Sequence, residues 1–520
     1  MEKHRQLVKH MLKPCFFGSS NPAAELIETH ASWIFLSGDY AYKMKKPVNF
    51  GFLDFSSPAK RHFFCTEELR LNRRVAPELY LAVIPVGGSI NQPRLNREPA
   101  LAYLVKMRRF PQENQLDRML AAGTLDVAVF IGFAEKIAHV HSLAPQADRH
   151  KRFGTPESII EPVRQNFAQI KSSRPDNVSL QSISTIEEWS ESTFVTHQPV
   201  LLRRREEGFI RECHGDMHLA NMAWFQGRPL LFDCIEFNEN LRWIDTINDI
   251  AFLVMDLDAR GQHLYAWAFL NTYLRHTGDY AGLKVLHFYQ TYRAMVRAKV
   301  LGLRLGQPNM SDRERRTDLE QLDNYLTLAE NYTQPTTPRL IITHGLSGSG
   351  KTTFVNELAP HIGAICIHSD LERKRLYHLE ATQSGNSGRG KGIYSTTANN
   401  KTYDHLNQLA TIIIDSGFSV IVDATFIRHA DRRQIAQLAT SRQYPLNILD
   451  FQLHEGVLRR RIKQRLKQGG SLSDADEKVL ACQLTSAEPL TAAEQDISIV
   501  IDEQTDVKSV GKQVEGGLNC

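Results

Sequence analysis

The stretch GLSGSGKTT, Gly345 to Thr353, sets Gly345, Gly350, Lys351 and Thr352 in the spacing GxxxxGK[ST]. A loop of this type turns backbone N–H groups toward phosphate oxygens. Its lysine reaches the outer phosphates, and its hydroxyl ligates a divalent cation. The loop follows an apolar run, LIITH, and opens a helical pattern, TTFVNEL, which is the strand-to-helix setting this chemistry needs. The expectation is a nucleoside triphosphate site for ATP and Mg²⁺. Ser347, Gly348, Ser349 and Thr353 contribute to the cradle, Lys351 lies on the β and γ phosphates, and Thr352 lies on the metal. The alternative is a glycine-rich turn with no ligand.

Three further features could complete such a site. Asp423 closes the apolar run VIV, at the carboxyl end of a predicted strand where open α/β sheets bind ligands; it could support the Mg²⁺ shell or simply form a turn. Asp370, in HSDLERKR, could take the proton of an acceptor hydroxyl, or could cap the helix that follows. In VLRRRIKQRL, helical spacing puts Leu458, Ile462 and Leu466 on one stripe and Arg461 with Arg465 on another. The two arginines could close over the triphosphate as a lid, or form a solvated basic face.

A second constellation lies upstream, in CHGDMHLANM (Cys213 to Met222) and LLFDCIEF (Leu230 to Phe237). Phosphoryl transfer of the kinase type uses an Asp at the acceptor hydroxyl, an Asn five residues on, and an Asp at the end of the next hairpin strand. Asp216, Asn221 and Asp233 fill these positions, with Asp216 orienting the hydroxyl and Asn221 and Asp233 holding Mg²⁺. In FLSGDYAYKMKKPV, strand alternation puts Ala41, Lys43 and Lys45 on one face.

The upstream motifs resemble the aminoglycoside phosphotransferase-like (choline kinase-like) family, whose signature HGDxHxxN is met by His214, Gly215, Asp216, His218 and Asn221. The resemblance extends over about residues 25 to 300. It implies that Lys43, with Lys45 in reserve, binds phosphate and pairs with a helix glutamate in CTEELRLNRRV, Glu68 or Glu67. It also implies a hinge at LAYLVKMRRF, a helix at IAHVHSL before the catalytic loop, and a structural role for Asp249 in bracing that loop. Two departures stand out: Cys234 follows Asp233 where many relatives carry an aromatic, and no conventional glycine-rich loop is evident. Downstream, HGLSGSGKTT, SDLERKR, VIVDATF and SLSDADEKVLACQL look like a P-loop kinase-type domain, similar over about residues 338 to 505 to polynucleotide kinase, gluconate kinase and zeta-toxin relatives. That resemblance implies phosphoryl transfer, with Asp370 as base and Arg461 or Arg465 in the lid.

These residues need elements to position them, and the patterning supplies two sets. Residues 30 to 110 read as short strands around one helical stretch. Residues 115 to 330 read as mostly helical, with a β-patch near 209 to 233. Beyond YTQPTTPR, a linker at 332–339, apolar runs alternate with helical patterns, as in a parallel sheet covered on both faces. The expected organisation is a bilobal protein-kinase-like fold (α+β) over 1–331, a P-loop three-layer α/β/α domain over 340–505, and a tail over 506–520. QSGNSGRGK, 383 to 391, is expected to be a mobile loop.

Composition excludes more than it assigns. The net charge of +4 on 520 residues argues against a nucleic-acid partner, and no apolar run is long enough for a membrane. Seven scattered cysteines without a CxxC pair support neither a disulfide framework nor zinc, and the cytoplasm is the expected location. The favoured expectation is a bifunctional phosphotransferase acting on small-molecule hydroxyl groups. The alternatives are an ATP-binding regulatory protein and a polynucleotide 5′-hydroxyl kinase, the latter suggested by Ser369 to Lys374. A basic helix is expected over Tyr289 to Arg304, where Arg293 and Arg297 could meet an anionic acceptor or could form a solvated face.

Overall fold

The computed structural model describes residues 2–18, 23–51, 53–173, 180–306, 310–379, 392–468 and 476–516; the loop expected at 383–391 lies outside them. The chain forms two compact units, one from residues 1–259 and 288–329 and the other from 260–287 and 330–520.

The first unit begins with helix α1 (Glu2–Met11) and a six-stranded antiparallel sheet. Its strands are β1 (Glu25–Glu28), β2 (Ser32–Ser37), β3 (Tyr40–Lys45), β4 (Tyr80–Ser89), β5 (Gln92–Leu95) and β6 (Ala100–Arg108), in the order β1-β2-β3-β6-β4-β5. Alternation sorts the two faces of β3. Tyr42 and Met44 join Trp33, Phe35 and the α1 residues Leu7, Val8 and Met11 in one apolar cluster, while Lys43 and Lys45 face helix α2 (Pro58–Asn72). Ser57 caps α2 by accepting from the Lys60 N–H (3.2 Å), with Pro58 in the first turn. The expected hinge sequence is mostly strand β6, and the chain leaves the sheet only after Arg108.

Helices α3 (Leu116–Ala121), α4 (Val127–Leu143), α5 (Pro156–Ser173) and α6 (Leu180–Glu206) follow, then β7 (Ile210–Glu212), the hairpin β8 (Met222–Phe225) and β9 (Arg228–Leu231), β10 (Trp243–Asp245) and α7 (Thr246–Ala259). Thus α4, which carries IAHVHSL, precedes the loop Cys213 to Asn221 in sequence with two further helices between them.

The second unit takes α8 (His263–Thr277) from the middle of the chain. Helices α9 (Leu283–Leu305) and α10 (Asp312–Thr333) follow in sequence, but their residues from 288 to 329 belong to the first unit, not to this one. Its sheet consists of β11 (Leu340–His344), β12 (Ala364–His368), β13 (Ser419–Asp423), β14 (Leu446–Phe451) and β15 (Ser498–Ile501), all parallel, in the order β12-β13-β11-β14-β15. The apolar runs read from sequence form these strands. Helices α11 (Lys351–His361), α12 (Ser369–Leu376), α13 (Thr396–Asp415), α14 (His429–Arg442), α15 (Glu455–Gln468), α16 (Glu477–Ser486), α17 (Ala492–Asp496) and α18 (Val507–Gly516) complete it. None of the described helices is long and apolar enough to cross a membrane.

Two segments fall outside the expected boundaries. The stretch set aside as a tail forms α18, whose Val507, Val510 and Val514 are buried against Leu358 and Ile501. The segment 260–287, expected with the first domain, belongs to the second unit because α8 covers the edge strand β12. There the Asn271 side chain accepts from Cys366 N (2.8 Å) and donates to Ala364 O (2.9 Å), standing in for a missing neighbouring strand. Replacing Asn271 by Leu is expected to leave both backbone groups unpaired and to lower stability by about 2 to 4 kcal/mol, measured by urea denaturation. A fragment starting at Tyr332 lacks α8 and is expected to aggregate through the bare β12 edge, measured by size-exclusion chromatography.

His287 in the same unit lies against Phe418 (ring centroids 4.6 Å). Burial pulls its imidazole from the usual 6.5 down to about 4. The unfolded chain therefore takes up a proton near pH 6.5 that the folded chain refuses until about pH 4, so stability is full above this window and falls as pH drops through it. Because His287 keeps some contact with solvent, the loss is on the order of 1–2 kcal/mol. His287→Phe is expected to flatten the pH dependence of the melting temperature between pH 7 and 4.

Candidate functional site

In the first unit the two β3 lysines converge on one glutamate. Lys43 Nζ lies 2.9 Å from Glu68 Oε1 and 2.5 Å from Asp233 Oδ1; Lys45 Nζ lies 2.6 Å from Glu68 Oε2 and also bonds Glu236. This separates Glu68 from Glu67, which faces Arg70 (2.8 Å). Glu68 is fully buried; burial pushes its carboxyl up, but Lys43 and Lys45 outweigh that and bring it down to about 2. Burial also opposes the Lys43 charge, yet Asp233 and Glu68 leave its pKa well above the ordinary lysine value. Three carboxylates (Glu68, Asp233, Glu236) share two ammonium groups. Glu236 carries the surplus, raised by burial against the pull of Lys45 and further by Glu68. A site one positive charge short, with the Asp233 side chain 45% exposed, fits a divalent cation.

The loop Cys213 to Asn221 is pinned along its length. Asp249 accepts from His214 N (3.1 Å), Gly215 N (2.8 Å) and His141 Nε2 (3.1 Å), the bracing role expected of it. Gly215 has φ +86°, and a Cβ there would lie 2.5 Å from Leu241 O, so only glycine fits. Arg293 of α9 donates to Gly215 O (3.0 Å), and Asp256 accepts from Leu219 N (3.0 Å). Between these anchors Asp216 stands 35% exposed, receiving the Asn221 amide on Oδ2 (2.8 Å), with His218 Nε2 at 3.4 Å. Burial raises its pKa, but His218, His214 and Arg293 together hold it well below the usual carboxylate range. Neither the cleft-lining nor the solvated-face expectation for α9 covers Arg293: it is buried, a strut for the Cys213–Asn221 loop, while Tyr292 and Met295 face the core as expected.

In the second unit Thr352 Oγ1 donates to Asp423 Oδ2 (2.6 Å), and His368 Nδ1 lies 2.8 Å from the same oxygen. Asp423 ends β13, beside β11, so chain order brings the strand-end carboxylate to the phosphate loop. Lys351 Nζ donates to the loop carbonyls of Gly345 (2.9 Å) and Leu346 (2.7 Å) and to Ser349 Oγ (3.3 Å). Burial lowers its pKa to about 8 against the pull of Asp423 and Asp370, with Arg465 adding to the fall. Asp370 and Arg465 are therefore electrostatic neighbours of Lys351. Asp370 is not the cap of α12: His368 holds that position, and Asp370 sits half-buried in the first turn with no hydrogen bond or ion pair among the described residues.

Helix α15 lies along the loop. A Cβ on Gly348 (φ +86°) would meet Ile462 Cγ1 at 2.9 Å and Leu458 O at 3.0 Å, and Arg461 Nη1 donates to Ser349 O (3.2 Å). Leu458, Ile462, Leu480 and Leu346 form one apolar seat; the Leu466 side chain lies outside the described residues. Thr353 is exposed at the helix start. One residue of this site was not singled out in the sequence: Gln483 of α16, whose side-chain oxygen accepts from Ser347 N (2.8 Å). A lone amide on a helix has no diagnostic spacing, and only its place after the arginine helix hinted at it. The basic neighbours of Asp370 are committed elsewhere, Arg373 to Ile393 O (2.9 Å) and Asn399 (2.7 Å), Arg375 to Glu372 and Arg275 O (2.8 Å).

Sheet order and site geometry together define a protein-kinase-like unit joined to a P-loop unit. Residues 340–490 match a family model described as an AAA domain. Over 413 residues the chain is 32% identical to the uncharacterized protein Rv2004c of Mycobacterium tuberculosis and to the uncharacterized protein Mb2027c of Mycobacterium bovis, covering 78% of this chain and 79% of each relative. The chain belongs to the family of these mycobacterial proteins. Among solved structures it is similar to the amicoumacin kinase hAmiN in complex with AMP-PNP, Ca²⁺ and Ami (11% identity, 64% of this chain, 94% of that chain, TM-score 0.40). It is also similar to a gluconokinase from Sinorhizobium meliloti 1021 (17% identity, 35% of this chain, 93% of that chain, TM-score 0.25).

Proposed function

We propose that the chain is an ATP-dependent phosphotransferase with two nucleotide sites, each passing phosphate to a hydroxyl group of a small molecule. The observation that carries this is the pairing, within each unit, of a phosphate lysine and metal-supporting groups with a carboxylate left available for an acceptor. In the first unit these are Lys43 with Glu68, Asn221 and Asp233, and Asp216; in the second they are Lys351, Thr352 with Asp423, and Asp370. Asn221 and Asp233 in the first unit, and Thr352 with Asp423 in the second, would hold Mg²⁺, which would supply neutralisation of the charge developing on the transferred phosphoryl group. Asp216, ionised and 35% exposed between its loop anchors, would orient the acceptor hydroxyl and receive its proton as the phosphoryl group transfers. Arg461 and Arg465 place positive charge over the phosphate loop.

The test is an untargeted product screen. Purified wild type and Asp216→Ala, given a metabolite extract and γ-labelled ATP, are compared for labelled products. A product made only by the wild type supports the reading, and identical product sets remove it for the first unit.

One observation favours the regulatory alternative for that unit: β1 and β2 are joined by only Thr29, His30 and Ala31, with no glycine. ATP binding at this site without acceptor-stimulated turnover would select that alternative. Polynucleotide end phosphorylation is disfavoured because the basic groups that suggested it, Arg373 and Lys374, are buried, and Arg373 is committed to Ile393 O and Asn399.

A further inference from the structure

The least satisfied cation near Asp216 is Arg297. It lies one helical turn beyond Arg293 on α9, half-buried, with its chain-side nitrogen Nε donating to the Tyr325 hydroxyl (3.4 Å). Tyr325 in turn reaches Asp256 (3.5 Å), whose other oxygen accepts from Leu219 N (3.0 Å). Arg293 holds Gly215 O (3.0 Å). The two arginines thus attach to the catalytic loop on either side of Asp216, Arg293 directly and Arg297 through Tyr325 and Asp256. Arg293 commits Nε to Asn248 (2.8 Å) and Nη1 to Gly215 O (3.0 Å). The two terminal nitrogens of Arg297 have no hydrogen-bond or ion-pair partner among the described residues.

The carboxylates that a cationic acceptor would need are in the opposite condition. Glu236 is held by Lys45, Glu239 by Arg242 (3.2 Å), and Asp256 by the loop itself. A guanidinium fork left open and tied through Tyr325 and Asp256 to the loop that carries Asp216, among carboxylates already engaged, suits a planar or tetrahedral anion. The proximity is also electrostatic: against the effect of burial, Tyr325, Asp256 and Asp216 all favour the Arg297 charge.

We propose that Arg297 reads an anionic group, phosphate or carboxylate, on the acceptor of the first unit, so that the acceptor is a hydroxyl compound already bearing negative charge. This rests on Asp216 being the acceptor-side residue of that unit.

The test uses the full chain carrying Lys351→Ala, which weakens anion binding at the phosphate loop, alone and combined with Arg297→Gln or Arg297→Lys. Inorganic phosphate, sugar phosphates, hydroxy acids, neutral sugars and amino sugars are titrated against the melting temperature, and the same compounds are offered with ATP. The expected result is stabilisation by anions whose apparent Kd rises roughly 10- to 100-fold with Arg297→Gln and recovers in part with Arg297→Lys. A stronger response to sugar phosphates assigns a phosphoryl group, and a stronger response to hydroxy acids assigns a carboxylate. Equal anion responses with and without Arg297→Gln, or binding confined to amino sugars, would overturn the proposal. Arg297-dependent anion binding without any phosphorylated product would leave the anion subsite standing and remove the phosphotransferase reading. Product formed from neutral or amino sugars at rates indifferent to Arg297 would do the reverse.

Discussion

Asp216→Asn is expected to lower acceptor turnover at the first unit by roughly 10²- to 10⁴-fold while leaving ATP affinity there within about twofold. The carboxylate receives the Asn221 amide on one oxygen and has 35% of its side chain exposed, whereas the lysines and acids that would meet nucleotide, Lys43, Glu68 and Asp233, bond one another and not Asp216. The substitution keeps size and shape, and the loop's anchors at Gly215 and Leu219 remain, so the melting temperature should barely move. Because the Asp216 pKa is depressed, the group is ionised throughout pH 5 to 8, and the wild-type rate should show no acid limb from this residue in that range. A D216N protein that keeps wild-type turnover, measured by coupled ADP release with acceptor, would show that another group handles the hydroxyl.

Lys351→Ala is expected to act on the second unit alone, with a fall in phosphoryl transfer on the order of 10²- to 10³-fold and weaker ATP binding. In the present structure the ammonium group is held by the Gly345 and Leu346 carbonyls inside its own loop, poised where phosphate would enter. Its lowered pKa of about 8 means that a nearby triphosphate, by restoring full charge, should draw a proton from solution at pH 8. Calorimetry of ATP binding in buffers of different ionisation enthalpy measures that uptake, and it should vanish in the Lys351→Ala protein.

How far these sites could be read from sequence differs from residue to residue. The phosphate loop and the loop around Asp216 stood out in sequence because the chemistry each is expected to perform fixes both residue type and spacing over fewer than ten positions. The five strands of the second sheet were legible as apolar β-branched runs. The choice between Glu67 and Glu68 was not, because neighbours on a helix differ by about 100° in direction and only the phase of α2 against the sheet decides which one meets Lys43. Lys45 was expected as a substitute for Lys43; instead both bind Glu68, which no one-dimensional pattern states. The membership of α8 was hidden for a different reason. HLYAWAFLNTYLRHT is apolar enough to pack against many surfaces, and only the unpaired edge of β12, satisfied by Asn271, shows where it belongs. Val507, Val510 and Val514 did carry helical spacing, yet a terminal position made the segment read as a tail. Arg293 and Arg297 looked alike in sequence, and packing separates them: one is buried and holds Gly215 O and Asn248, the other is half-buried and keeps both terminal nitrogens open.

The central claim is that two independent nucleotide sites share this chain, and the direct measurement is the number of ATP molecules bound per chain at saturation in the presence of Mg²⁺, by equilibrium dialysis. The account predicts two for the wild type, one for Lys351→Ala, and one for a chain in which Lys43 and Asp233 are both replaced by Ala. One ATP per wild-type chain, abolished by Lys351→Ala, would contradict it and leave the first unit without a nucleotide.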